Sequence, residues 1–71
     1  MSLLAVVDPH VVNRVRAEFI EMPGLRLTPT QAQRLWGLDR HTCEAVVAQL
    51  TATRELVRGA DGRISAVSVR P

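Results

Sequence analysis

Cysteine and aromatic residues are scarce in this chain of 71 residues. It contains one cysteine, Cys43, one phenylalanine, one tryptophan and no tyrosine. A single cysteine excludes a disulfide within the chain and is typical of a reducing compartment, so we expect a cytoplasmic location. Because two aromatic rings cannot fill a core, valine, leucine and isoleucine must supply most of the packing.

Long apolar runs are also missing. The sequence has no stretch that approaches the roughly 18 apolar residues of a membrane span. Residues 2–7 (SLLAVV) are too few for the apolar region of a secretory signal, and no basic residues precede them. These absences predict a soluble protein that does not insert into a membrane.

Signatures of catalysis and of metal binding are missing as well. The sequence shows no paired carboxylates, no glycine-rich phosphate loop and no nucleophile with a base at a recognisable spacing. Cys43 and His41 lie on nearly opposite faces of one predicted helix, and His10 is remote in sequence, so no metal site is expected. We therefore expect neither an enzyme nor a bound cofactor.

Lysine is absent, and all nine basic residues are arginine. With seven acids the net charge is +2, which is compatible with nucleic acid and equally with a solvated surface of mixed charge. Hydrophobic residues make up 46% of the chain, as in ordinary globular proteins. The length predicts one domain over residues 1–71 that buries only about 60% of its unfolded surface, a thin core that a dimer interface would support.

Helix 1 is predicted to begin at Asp8 and Pro9, a capping residue followed by the proline that helices favour at their first position. Its apolar stripe consists of Val11, Val12, Val15, Phe19 and Met22. Ile20 falls on the far side of this helix. Together with Leu3 and Leu4 it is expected to form a second apolar patch, suited to a homodimer through helix 1 and the N-terminal residues.

Helices 2 and 3 follow from equally local signals. Thr28, Pro29 and Gln31 form a capping box, which predicts a helix whose inner face is Ala32, Leu35 and Trp36. Gly37 then ends that helix, and Asp39 caps the next one. The apolar stripe of helix 3 is Cys43, Val46, Val47 and Leu50, and the helix is expected to fray near Thr53.

Three strands are predicted around these helices. Leu25 to Leu27 alternates apolar and polar residues, enough for a short strand between helices 1 and 2. Residues 55–58 and 63–69 flank an Asp-Gly turn at 59–62, a strong signal for a hairpin. If the short strand pairs with the hairpin, the fold is an α+β, three-helix winged helix-turn-helix in which the hairpin is the wing.

Several short motifs also resemble those of small bacterial winged helix-turn-helix proteins, which share a layout of MPGLxLT, QAxRLxGLD, a cysteine and DGR. The matching segments are MPGLRLT from Met22, QAQRLWGLD from Gln31, Cys43 and DGR from Asp61, and the likeness covers residues 15 to 65. The resemblance implies a DNA-binding domain or a small regulator.

The chain departs from that layout after helix 3, where the family tends to place a glycine and then an aromatic residue. Here Arg54 and Glu55 occupy those positions. A residue other than glycine at this place either adopts left-handed backbone geometry at a cost or avoids it. The connection from helix 3 to the hairpin is therefore expected to be shifted.

Two functions fit this fold, and the first is transcriptional regulation through DNA binding. In that reading helix 3 enters the major groove, where His41, Thr42, Gln49 and Arg40 meet base edges. Phosphates are contacted by Arg34 on helix 2 and by the wing arginines Arg58 and Arg63.

The outward face of helix 3 also permits a second function, a protein-interaction or dimerisation module that binds no DNA. Ala45, Ala48 and Ala52 form a shallow, nearly uncharged strip on which another helix could pack. Glu44 stands beside them, and an acid at this position is repelled by phosphate unless it accepts from a cytosine amine. The sequence alone leaves both functions open.

Overall fold

Three helices and a small antiparallel sheet make up the α+β fold in a computed structural model that describes residues 7–67. The elements are α1 (Pro9–Glu21), β1 (Arg26–Leu27), α2 (Pro29–Trp36), α3 (Arg40–Ala52), β2 (Leu56–Arg58) and β3 (Ile64–Ala66). This confirms the predicted order of elements. The N-terminal Leu3-Leu4 segment and the predicted strand residues Ser68 and Val69 lie outside the described residues.

Each helix begins at the capping residue that the sequence predicts. The Asp8 carboxylate accepts a hydrogen bond from the His10 N–H at 2.9 Å. At α2 both bonds of the capping box are present, because Thr28 Oγ1 accepts from the Gln31 N–H at 3.1 Å and Gln31 Oε1 accepts from the Thr28 N–H at 2.9 Å. Asp39 Oδ1 accepts from the Thr42 N–H at 3.2 Å. These bonds satisfy amides that would otherwise lack partners in the first turn.

The sheet has β3 at its centre, in the order β1-β3-β2. Ile64 of β3 lies opposite Leu27 on one side and opposite Arg58 on the other, so the predicted pairing of the short strand with the hairpin is confirmed. The hairpin turn closes with bonds from Gly62 N–H to the Gly59 carbonyl at 2.9 Å and from Gly59 N–H to the Arg63 carbonyl at 2.8 Å. Gly62 has a φ of 85°, a conformation that favours glycine.

The core lies between the three helices and one face of the sheet. The predicted stripe of α3 is buried in full, and Val15, Val46 and Leu50 are completely inaccessible. The rings of Phe19 and Trp36 pack edge to face, with centroids 6.0 Å apart at an interplanar angle of 69°. With so few aromatic residues, this one pair joins α1 to α2 while aliphatic side chains fill the remaining space.

Two residues predicted to face the core are instead exposed, Leu35 at 50% and Met22 at 48%. On the short helix α2, Ala32 and the large ring of Trp36 occupy the contact with the core, and Leu35 lies about 100° around the helix from Trp36. Met22 lies just beyond the end of α1, where φ is −126° and ψ is 80°, values outside the helical range. The buried stripe of α1 therefore does not continue to it. The predicted exposure of Ile20, 70% here, is confirmed.

The end of α3 departs from ordinary backbone geometry at Arg54. Among residues 7–67 it is the one non-glycine residue with a positive φ, 66°. Its neighbour Glu55 donates its N–H to the Leu50 carbonyl at 2.8 Å, the bond of a helix terminator that usually contains glycine. The chain therefore adopts the left-handed conformation rather than avoiding it.

Replacing Arg54 by glycine should raise the free energy of unfolding by about 0.5–1 kcal/mol, because relief of left-handed strain outweighs the greater chain entropy of glycine in the unfolded state. Urea denaturation monitored by circular dichroism measures this change. Arg54→Ala is the matched control, since it removes the same side-chain charge and keeps the Cβ atom that causes the strain. If both variants gain the same free energy of unfolding, the gain comes from loss of the guanidinium charge and not from relief of backbone strain.

In the described part of the chain, no helix combines the length and the apolar character needed to cross a membrane.

Candidate nucleic-acid interface

The outward face of α3 is a helix surface that the rest of the described fold leaves uncovered. Because Cys43, Val46, Val47 and Leu50 turn toward the core, the opposite side of the helix faces solvent. His41, Ala48 and Ala52 lie along the middle of this outward face and are exposed, and Ala45 is half-buried beside them. The three small residues leave the helix backbone close to whatever approaches this face.

The residues predicted to read bases occupy two parts of the outward face. Arg40 and His41 are exposed in the first turn of α3. Gln49 is also exposed, but helix geometry sets it about 80° around the helix from His41 and close in angle to Thr42. Thr42 is half-buried, and its N–H is already donated to Asp39. Arg40 and His41 are therefore better placed than Thr42 to meet a ligand.

Arg58 of β2 lies against α3, with its Nη2 3.6 Å from Oε1 of Glu44. Glu44, the acid whose charge would repel phosphate, therefore has a cation beside it. This contact was not predicted from the sequence, although alternation along a strand could have indicated it. Leu56 is buried and Val57 is exposed, so Arg58 shares the core-facing side of β2 with Leu56, toward the helix that covers it.

Arg63 and Arg26 meet at Asp61 in the hairpin turn. Asp61 Oδ2 lies 3.8 Å from Arg63 Nε and 3.9 Å from an Arg26 guanidinium nitrogen. A hydrogen bond from the Arg63 N–H, followed by the charges of Arg63 and Arg26, holds the pKa of Asp61 below its usual range. Arg26 was not among the predicted site residues, and the pairing of β1 with β3 brings it to the turn.

The remaining predicted phosphate contact, Arg34, is exposed in the last turn of α2. Within residues 7–67 it forms no ion pair. The end of α2 is held by another arginine, since Arg14 of α1 donates from Nη2 to the Trp36 carbonyl at 2.7 Å. The guanidinium of Arg34 is therefore available to a ligand, and Arg14 has a structural task.

A shallow groove of about 540 Å³ runs between α3 and β2. Val47, Ala48, Thr51 and Ala52 of α3 line it, and the Glu44 and Arg58 pair borders it. The groove is open and mostly apolar. Two of the three alanines of the predicted interaction strip, Ala48 and Ala52, belong to it, whereas Ala45 does not.

Metal-ligating side chains do not gather in the part of the chain that is described, where no cluster of three or more histidine, cysteine or acidic residues occurs. Cys43 is buried, and burial raises the pKa of its thiol. A buried thiol with a raised pKa is a poor nucleophile and packs as a small apolar side chain.

The Asp39 cap links the stability of the fold to pH. Hydrogen bonds from Thr42, first from its side chain and then from its backbone N–H, hold the pKa of Asp39 below its usual range. For a carboxyl group whose pKa is lower in the folded state, the stabilisation is complete above the unfolded pKa of about 3.9. It is lost as the pH falls through the lower folded pKa.

Asp39→Asn should therefore show a pH-dependent difference from the wild type, because asparagine caps the helix without titrating. The wild-type protein should unfold at a higher urea concentration than the variant at pH 7, and this difference should shrink as the pH falls below about 4. Urea midpoints at both pH values measure it, and the contributions of other titrating groups cancel in the difference. A difference in urea midpoint that does not change with pH would contradict the role of the ionised Asp39 carboxylate in capping α3.

Comparison of the chain with protein-family models, with curated proteins and with solved structures gives no match.

Proposed function

We propose that this chain is a winged helix-turn-helix domain that binds double-stranded DNA in transcriptional regulation. The element order and the pairing of β1 with a C-terminal hairpin support this fold. Helices α2 and α3 are joined by three residues, and Gly37 makes the reversal with a left-handed φ of 66°. In this proposal α3 is the recognition helix and β2-β3 is the wing.

The ion pair between Glu44 and Arg58 is the observation that carries the proposal. It joins the proposed recognition helix to the proposed wing, so both would approach DNA from one side, and it offsets the one acid on the outward face of α3. The side chain of Arg58 remains 41% exposed and that of Glu44 50% exposed. An ion pair so open to solvent contributes about 0–1 kcal/mol, so a phosphate can replace Glu44 as the partner of Arg58.

Each predicted residue has a defined task in this mechanism. Base edges would be contacted by Arg40, His41, Thr42 and Gln49. Backbone phosphates would be contacted by Arg34, Arg58 and Arg63. Ala48 and Ala52 allow the helix to enter the groove closely, and their methyl groups suit contact with thymine methyl groups.

The double variant Arg58→Ala, Arg63→Ala should weaken binding to duplex DNA roughly tenfold on all sequences, because it removes two phosphate contacts and no base contact. Fluorescence anisotropy with two labelled duplexes of unrelated sequence measures the affinity at low salt. Arg54→Gln is a suitable control, since Arg54 borders a different surface from Arg58. Equal affinities for the double variant and the wild type would show that Arg58 and Arg63 of the wing do not contact DNA.

The groove between α3 and β2 favours a second candidate, an interaction module that binds a protein helix and no DNA. Its apolar lining and the small Ala48 and Ala52 side chains suit close packing of another helix. A homodimer through α1 is compatible with either function. Absence of duplex binding even at low salt, together with self-association in sedimentation equilibrium that Ala48→Arg abolishes, would favour this module.

A further inference from the structure

A second concave site lies on another part of the molecule, between the C-terminal half of α1 and the ends of β2 and β3. Its volume is about 310 Å³, near the lower limit of sites that bind small molecules. Its apolar lining includes Phe19, Ile20, Leu50, Leu56 and Val67. The size and the lining suit the apolar part of a small ligand.

The mouth of this cavity has an excess of one positive charge. Arg16, Arg54 and Glu55 border it. Glu55 is already engaged, since it pairs with Arg16, whose Nη2 is 3.2 Å from Oε2, and accepts from the Thr53 hydroxyl at 2.7 Å. Arg54 forms no ion pair with any residue in the described range 7–67. Its guanidinium is thus the cation at this mouth that is free to meet an anion.

The backbone at Arg54 is a second, independent observation. A φ of 66° would cost a glycine nothing, yet an arginine occupies this position at the rim of a cavity. Residues in strained backbone conformations persist only where the surrounding structure holds them, and they cluster at active sites and ligand-binding sites. The side chain of Arg54 gives a reason for the strain.

We propose that this cavity binds a small amphipathic carboxylate. The apolar body of the ligand packs against Phe19, Leu56 and Val67, and its carboxylate accepts hydrogen bonds from Arg54. Leu50 of α3 and Leu56 of β2 form part of the buried wall of the cavity, so the site adjoins both elements of the proposed DNA-binding surface. Binding of the carboxylate itself does not depend on whether the domain binds DNA.

Octanoate is the probe, and octan-1-ol is a matched ligand without the charge. We expect saturable shifts in nitrogen-proton NMR spectra at residues lining the cavity, with octanoate bound more tightly than octan-1-ol. Arg54→Gly should weaken octanoate binding roughly tenfold and leave octan-1-ol binding unchanged. The same variant is expected to be more stable than the wild type, so loss of binding cannot be attributed to loss of folding. Equal octanoate affinities in the variant and the wild type would overturn the proposal.

A second variant tests the cavity itself. Ala66→Leu adds a larger apolar side chain to the lining and should abolish binding of both ligands. Arg34→Gln, which removes an arginine from α2, should bind octanoate as the wild type does. If instead the shifts at the cavity follow protein concentration and not octanoate, a second copy occupies the site and the proposal is wrong. DNA binding is measured in separate duplex titrations. A failure to bind DNA would therefore leave the results for octanoate unchanged.

Discussion

Replacement of Leu50 by alanine should lower the free energy of unfolding by about 3–4 kcal/mol. Leu50 is completely buried on α3, and it belongs to the core shared by α1, α2 and the sheet. Its truncation removes apolar burial and leaves a cavity that a well-packed interior closes only in part. A chain of 71 residues has a total stability of roughly 4–10 kcal/mol, so the variant loses a large share of it.

Leu35→Ala is the matched control for this prediction, because it makes the same chemical change at a side chain that is 50% exposed. We expect a change within about 0.5 kcal/mol, since no cavity forms and alanine is a good helix former. Urea denaturation followed by circular dichroism gives both values. Similar losses in the two variants would contradict the assignment of Leu50 to the core and Leu35 to the surface.

Affinity for duplex DNA should fall about 40-fold when monovalent salt rises from 50 to 200 mM. The proposed mechanism uses Arg34, Arg58 and Arg63 as phosphate contacts, and three contacts give a slope of about −2.7 in a plot of log affinity against log salt. A fourfold rise in salt concentration then reduces the association constant about 40-fold. Anisotropy titrations at four or five salt concentrations measure the slope.

The double variant Arg58→Ala, Arg63→Ala provides the internal test of this slope. It should retain one phosphate contact and show a slope of about −0.9. A slope in the wild type that is steeper than three contacts allow would indicate a fourth phosphate contact by Arg26, which lies beside Asp61 together with Arg63. A slope near zero at measurable affinity would mean that phosphates are not engaged, and the DNA-binding proposal would fail.

The helices were predictable from sequence because their signals are local. Asp8, Thr28 and Asp39 each satisfy amides within three residues of their own position, so the capping pattern can be recognised without knowledge of the fold. Burial at the ends of the apolar stripes was not predictable in this way. Leu35 and Met22 match the spacing, yet their exposure depends on the bulk of a neighbouring ring and on where the chain leaves helical geometry.

The arrangement of charges was the least predictable part of the candidate site. The sequence identifies Arg58 and Arg63 as residues beside a turn, but the contact of Arg58 with Glu44 depends on how β2 packs against α3. The contact of Arg26 with Asp61 depends on the pairing of β1 with β3. Both join residues distant in sequence, so a local pattern indicates only which side of a strand such a residue occupies.

The central position of β3 limits how copies of this protein can aggregate. With hydrogen-bonding partners on both sides of β3, the free edges of the sheet within residues 7–67 belong to β1 and β2, which have two and three residues. Edges this short offer too few unpaired backbone groups to recruit a strand from another chain. Amyloid-like growth by addition of a strand to the edges of this sheet is therefore disfavoured in the folded state.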